Sequence, residues 1–201
     1  MSKLLVLDMD GFLVHKKFMA SLPETLGDKN DKSSNDDNII KLKSFDVTVR
    51  NHCVDFIEGL LSEYEVAIWT SMLWYNVNEI LKHLFGKNFK NKFAFIWNRD
   101  HVLLDPDYNK DEISRHDDYE NETFPEISKF NTIKDLRLVW QNTKFNRKYT
   151  SENTLICDDS LIKMRFNPKI NVLLITDFDS DNNDDYLLEL PSIIAEKFDE
   201  L

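Results

Sequence analysis

Apolar residues in this chain follow two rhythms. Five runs are nearly continuous in Val, Leu, Ile and Phe, at 3–7, 65–69, 92–97, 154–157 and 171–175. Runs without alternation are what strands covered on both faces look like. Between them the spacing becomes helical. Val54, Ile57, Leu60 and Leu61 form one stripe, and Trp74, Val77, Leu81 and Leu84 a second. Ile133, Leu136, Val139 and Trp140 form a third, and Leu187, Leu190, Ile194 and Phe198 the last. Alternating strands and helices predict an α/β fold, an open parallel sheet flanked by helices. Such sheets place their sites beyond the carboxyl ends of the strands. Asp8, Thr70 and Asp158 fall there. Residues 1–201 are read as a single domain without internal repeats. Two stretches break the pattern. Residues 24–38 are polar and low in complexity, which predicts a flexible loop. Residues 98–131 are charged and too long for a tight connection. They predict a small insertion after the third strand, beside the site, and no large cap.

Composition narrows the partners. The chain has 201 residues, 42% of them hydrophobic, enough for a real core. Its net charge of −11 argues against a phosphate-backbone binder, so no direct nucleic acid partner is expected. A phosphate bridged by a metal remains compatible. Cys53 and Cys157 are read as reduced core residues of an intracellular protein. No run is long enough for a signal peptide or a membrane span. A nuclear or cytoplasmic monomer is expected.

The stretch LLVLDMDGFLV, residues 4–14, ends a strand in two carboxylates, Asp8 and Asp10. An aspartate at a strand tip can attack phosphorus. Attack by one anion on another needs charge neutralisation, which Mg²⁺ with oxygen ligands supplies. The second carboxyl can protonate the leaving oxygen and later deprotonate water. Gly11 permits a tight turn. Taken alone, an acidic turn after a strand is common. Thr70 and Ser71 follow EVAIW, where a hydroxyl can donate to a phosphoryl oxygen or merely cap the next helix. Lys134 opens the predicted helix TIKDLRLVW, where it either meets a bound anion or lies solvated on the surface. TLICDDS ends a second strand in paired acids, Asp158 and Asp159, costly unless a cation compensates them. Two acidic tips, one hydroxyl tip and a lysine converging on one sheet edge are far less expected by chance than any of them singly.

The segments DMDGFLV, AIWTS, TIKDL and LICDDS resemble the four motifs of haloacid-dehalogenase-type phosphatases. Their details are similar to the FCP/SCP homology branch, whose members dephosphorylate the RNA polymerase II C-terminal domain. The similarity spans nearly the whole chain. It implies a Rossmann-like fold and a Mg²⁺-dependent phosphatase of phosphoserine or phosphothreonine in a flexible peptide, with the C-terminal tail of RNA polymerase II as a candidate substrate. It also implies roles. Asp8 is the nucleophile and a Mg²⁺ ligand. Asp10 is the general acid/base and binds Mg²⁺ through its main-chain carbonyl. Thr70 and Ser71 bind the phosphoryl group, and Lys134 neutralises it. Asp159 matches the fourth-motif metal position and Asp158 its acidic neighbour; the two roles are exchangeable, so both are candidate ligands.

The chain departs from the family's pattern in three places. Phe12 stands where a small residue is usual. Arg50 is followed by Asn51 and His52 without the usual glycine. Leu161 follows Ser160 where proline is usual. Phe12 either narrows the pocket or points into the core, and with Trp74 and Tyr75 it could wall a peptide groove. Trp69, Trp74, Trp97 and Trp140 are read as core by default, the groove being the alternative for Trp74. The five histidines show no metal spacing. The acidic stretch 105–122 is a solvated face unless it fronts the site. Two alternatives stay open: a phosphatase of small phosphate monoesters, and a non-catalytic protein-binding module of the same fold.

Overall fold

The computed structural model describes residues 2–19, 38–107, 132–180 and 184–201. The body of the 24–38 loop and residues 108–131 of the insertion lie outside the described residues.

Among the described residues, five strands make a parallel sheet. They are β1 (Leu4–Leu7), β5 (Glu65–Trp69), β6 (Ile96–Trp97), β9 (Thr154–Asp158) and β10 (Val172–Leu174). Their order is β10-β9-β1-β5-β6. From β1 the chain moves to β5 and β6 on one side, then returns to β9 and β10 on the other. The order therefore reverses between β1 and β9, the crevice where open α/β sheets bind ligands.

Both faces of the sheet are covered, which explains the unbroken apolar runs. Leu5, Leu7, Val66, Ile68, Leu155 and Cys157 face one core cluster. Leu4, Val6, Ala67, Trp69 and Ile156 face the other. The first cluster is closed by helices α1 (Cys53–Glu63), α2 (Trp74–Phe85) and α5 (Tyr186–Asp199). The last helix buries the four residues of its predicted stripe, Leu187, Leu190, Ile194 and Phe198. In α1 the buried face is Cys53, Phe56, Ile57 and Leu60, with Leu61 partly buried against the same core, so only Val54 drops out of the predicted stripe. In α2, Ile80 is buried and Trp74 is exposed. Cys53 and Cys157 are buried free thiols, and burial pushes the Cys53 thiol up to about 12.

Two predicted elements are shorter than their sequence pattern. The 92–97 run yields only Ile96 and Trp97 in strand, at the sheet edge opposite Ile68 and Trp69, although the Ala94 N–H still donates to the Val66 carbonyl at 2.8 Å. A 3₁₀ turn at Phe89–Asn91 precedes it, with Phe89 and Phe93 buried in the core. The helix expected from Ile133 to Trp140 is also two elements. Thr132–Ile133 is a strand, β8, paired antiparallel with β7 (Leu103–Leu104). Only Arg137–Trp140 is helical (α3), beginning where the Asp135 carboxylate accepts from the Arg137 N–H at 2.9 Å. Lys134 therefore does not open a helix. It lies in the link between β8 and α3. The β7–β8 pair holds together the two ends of the 98–131 segment.

The periodicity missed a second sheet. β2 (Val14–Phe18) and β3 (Ile39–Lys41) flank β4 (Phe45–Val49) in antiparallel pairing. VHKKF shows no apolar run, since only its first residue is buried. A short helix, α4 (Leu161–Met164), follows β9. No helix among the described residues is long and apolar enough to cross a membrane.

Phe12 is fully buried and meets Phe56 edge-on, with centroids 6.1 Å apart. It is core and walls no groove. Phe12→Ala is expected to lower the free energy of unfolding by about 3–5 kcal/mol in urea denaturation, the cost of a large cavity. A loss below about 1 kcal/mol would return Phe12 to the pocket.

Candidate active site

The register of β1 and β9 creates the site. Leu7 lies opposite Cys157, and the Asp8 N–H donates to the Cys157 carbonyl at 3.0 Å. Asp8 and Asp158 therefore emerge side by side, both buried. One carboxylate oxygen each from Asp8, Asp158 and Asp159 lie within 4.8 Å of one another. In low dielectric three such charges repel strongly.

Lys134 relieves part of that repulsion. Its ammonium is 3.0 Å from Asp8 Oδ1 and 2.5 Å from Asp158 Oδ2, with no solvent exposure. The surface reading of this lysine is thereby excluded. Its backbone is fixed from both ends: the Lys134 N–H donates to the Lys163 carbonyl at 2.8 Å, and Asn167 Nδ2 donates to the Lys134 carbonyl at 2.7 Å. Lys163 supplies a second ammonium, 3.5 Å from Asp8 Oδ2 and 3.9 Å from both Asp158 Oδ1 and Asp159 Oδ1.

Burial pushes the Asp8 carboxyl up, but Lys134 and Lys163, with hydrogen bonds from Lys134 and the Met9 N–H, hold it below its ordinary value. Asp8 is an anion here. Asp159 goes the other way. Burial, then the charges of Asp8 and Asp158, push it up to about 7 against the pull of Lys163. Burial disfavours the Lys163 ammonium, yet Asp8, Asp158, Asp159 and Asp10 outweigh it and raise its pKa.

The turn after Asp8 is wound on one carbonyl. Met9 O accepts from the N–H groups of Phe12, Leu13 and Val14. Gly11 has φ +82°, and a Cβ there would lie 2.5 Å from Asp159 Oδ2 and 2.9 Å from Asp177 Oδ1. Glycine is thus required by conformation and by space. The Asp10 side chain turns to Lys16, with Oδ2 3.9 Å from Nζ, and does not join the three-carboxylate cluster. Thr70 directly follows β5, the neighbour of β1, and is fully buried. Its Oγ1 accepts from the Met72 N–H at 3.3 Å, which leaves the hydroxyl proton to give. Thr70 is not a helix cap: the N-cap of α2 is Leu73, with no side-chain cap. The Ser71 hydroxyl is 2.9 Å from that of Thr132.

These donors suit a hard divalent cation. Among the described residues Asp159 Oδ1 is buried without a hydrogen-bond partner, and the three clustered side chains offer only carboxylate oxygens.

The family profile of the NLI interacting factor-like phosphatases matches residues 3–200. The chain belongs to that family. A search of curated proteins by sequence finds no match. Among solved structures, it is similar to a point variant of the fission yeast RNA polymerase II CTD phosphatase Fcp1 bound to beryllium fluoride. Identity is 13%, the TM-score is 0.56, and the match covers 98% of this chain and 51% of that one. A second similar structure is Fcp1, an essential RNA polymerase II CTD phosphatase, at 14% identity and a TM-score of 0.52, covering 98% and 49%. The chain spans about half the length of these relatives. At such identity the likeness shows the fold, a haloacid-dehalogenase-type sheet.

Within this family domain, sequence reasoning missed several residues at the site. Lys163 had a signal: it follows Asp159 by four, a spacing that returns to the same side of a helical turn. Asp177 had none, because chain folding alone brings it to Gly11. The Phe178 N–H donates to the Gly11 carbonyl at 2.9 Å, seating the segment after β10 on the turn. Arg50 fixes that contact. Buried, it pairs with Asp184 at 2.5 Å and donates to the carbonyls of Phe12 and Thr176 at 3.1 Å each. The glycine expected after Arg50 is replaced in kind: His52 holds φ +62°.

The raised Asp159 carboxyl stabilises the cation-free protein at low pH. The stability is complete below the unfolded carboxyl's value of 3.8 and is lost as pH rises through about 7. The lowered Asp8 acts only below its ordinary value, so Asp159 governs the window above it. Asp159→Asn, melted without divalent cations, is expected to gain on the wild type steadily between these two limits. A difference independent of pH would contradict this assignment.

Proposed function

We propose that the chain is a Mg²⁺-dependent phosphatase acting through an aspartyl-phosphate on phosphoserine or phosphothreonine in a flexible peptide. The observation that carries this reading is the fully buried Lys134 ammonium between Asp8 and Asp158. It keeps a strand-tip carboxylate anionic and offers fixed positive charge where a phosphoryl group must sit.

Asp8, Asp158 and Asp159, with the main-chain carbonyl of Asp10, would hold the cation. Bound Mg²⁺ supplies positive charge that offsets the phosphoryl oxygens. An Asp8 oxygen attacks phosphorus, and the bond from phosphorus to the serine or threonine oxygen breaks. The Asp10 carboxyl gives that oxygen a proton. Asp10, now a carboxylate, takes a proton from water, whose oxygen attacks the aspartyl-phosphate. The bond between phosphorus and the Asp8 oxygen breaks, releasing phosphate and restoring both side chains. Thr70 donates its hydroxyl proton to a phosphoryl oxygen. Ser71, held by Thr132, completes that wall. Lys134 steadies the negative charge throughout.

Exposed Leu73, Trp74 and Tyr75, which follow Thr70 and Ser71 after the buried Met72, support a peptide substrate, since they offer apolar surface close in the chain to those hydroxyls. The Fcp1 relatives act on the RNA polymerase II C-terminal domain, and we take a phosphorylated tail of that kind as the substrate class.

The test is phosphate release from phosphoserine and phosphothreonine peptides and small phosphate esters, with and without Mg²⁺. Release is expected to require Mg²⁺, to favour peptides and to disappear in Asp8→Asn. Asp10→Asn is expected to slow it by about 10²–10⁴-fold, the worth of a positioned acid/base. Preference for small esters would replace the substrate assignment. No release by folded, cation-bound protein would make the domain a binding module.

A further inference from the structure

Two carboxylates of the cluster are each shared between two lysines. Asp8 gives Oδ1 to Lys134 and Oδ2 to Lys163; Asp158 gives Oδ2 to Lys134 and Oδ1 to Lys163. Among the described residues Asp159 Oδ1 has no hydrogen-bond donor, and the lysine it faces is Lys163, at 3.9 Å. The lysines differ in access. Lys134 is sealed, while the Lys163 side chain keeps 14% of its surface in solvent. Its distances of 3.5 to 3.9 Å to three oxygens are loose for an ammonium, so no short bond locks it in place.

The oxygens that face Lys163 are those a divalent cation would need. Mg²⁺ binds oxygen at about 2.0–2.1 Å. An ion on Asp8 Oδ2 and Asp159 Oδ1 would sit only a few ångströms from the ammonium, two cations in a partly buried site. Lys163 has a long, flexible stem and part of its side chain already in solvent, so it can swing away. Lys134, gripped by short bonds and fully buried, cannot.

We propose that Lys163 is a resident counter-cation of this site: it neutralises Asp8, Asp158 and Asp159 when no divalent cation is bound, and gives way when one binds. Lys163 thereby sets the cation affinity, and with it the concentration at which the site becomes competent. The proposal rests on the reading that these carboxylates hold a divalent cation.

Calorimetric titration of Mg²⁺, and separately Mn²⁺, into the full chain at fixed pH and salt tests it. The variants are Lys163→Met and, as a control for loss of one nearby positive charge, Lys16→Met, whose ammonium is 3.9 Å from Asp10 Oδ2. Lys163→Met is expected to bind at least about tenfold more tightly than wild type, and Lys16→Met within about threefold of it. Without cation, Lys163→Met is expected to melt below wild type, and saturating Mg²⁺ to close that gap. If Lys163→Met does not fold without cation, Lys163→Gln carries the same comparison. Equal affinities in wild type and Lys163→Met, weaker binding by the variant, or equal tightening by Lys16→Met would overturn the proposal while leaving the cation site standing. Absence of binding in every protein would overturn the cation site and this proposal together.

Discussion

Carboxylates held side by side at the tips of two adjacent parallel strands are the constraint on which this site depends. The register of β1 against β9 places Asp8 beside Asp158 as surely as it places Leu7 beside Cys157. Neither acid can move away without breaking the sheet's central pair. Removing charge from water costs several kcal/mol per ion, and only nearby opposite charge with good hydrogen bonds offsets it. Lys134 answers that need from the wall opposite, and its position in turn depends on Asn167 and the carbonyl of Lys163.

The rest of the architecture keeps those groups in place. Arg50 lies between the rings of Phe178 and Tyr186, at 5.2 and 4.8 Å from their centroids, and ties β4's end to the segment after β10. That segment closes over Gly11, leaving no room for a Cβ between the turn and Asp159. Packing on both faces then makes the sheet stiff, so the carboxylates meet a ligand already arranged, as catalysis by preorganised charge requires.

Much of this was legible in the sequence. Strands covered on both faces leave unbroken apolar runs, and four of the five runs became strands close to their expected length. The fifth is short because a 3₁₀ turn occupies Phe89–Asn91 just before it and only Ile96 and Trp97 take up full pairing at the sheet edge. The acids of DMDG and CDDS could be placed at strand tips because chain order and parallel pairing fix where tips go. What depends on tertiary contact was less readable. Ile133 has helical spacing with Leu136 and Val139, yet pairing with Leu103 takes it into a strand. Phe12 could have faced either way until Phe56 was seen beneath it. Arg50 with Asp184 and Gly11 with Asp177 join residues far apart in the chain, which no local pattern reveals.

The central claim is that Asp8 takes the phosphoryl group. Borohydride reduces an acyl-phosphate to an alcohol, so rapid quenching of turnover into borohydride, followed by peptide mass spectrometry, tests it directly. The account predicts homoserine at position 8 and unmodified aspartate at 10, 158 and 159. Reduction at another aspartate, or none during demonstrated phosphate release, would contradict it.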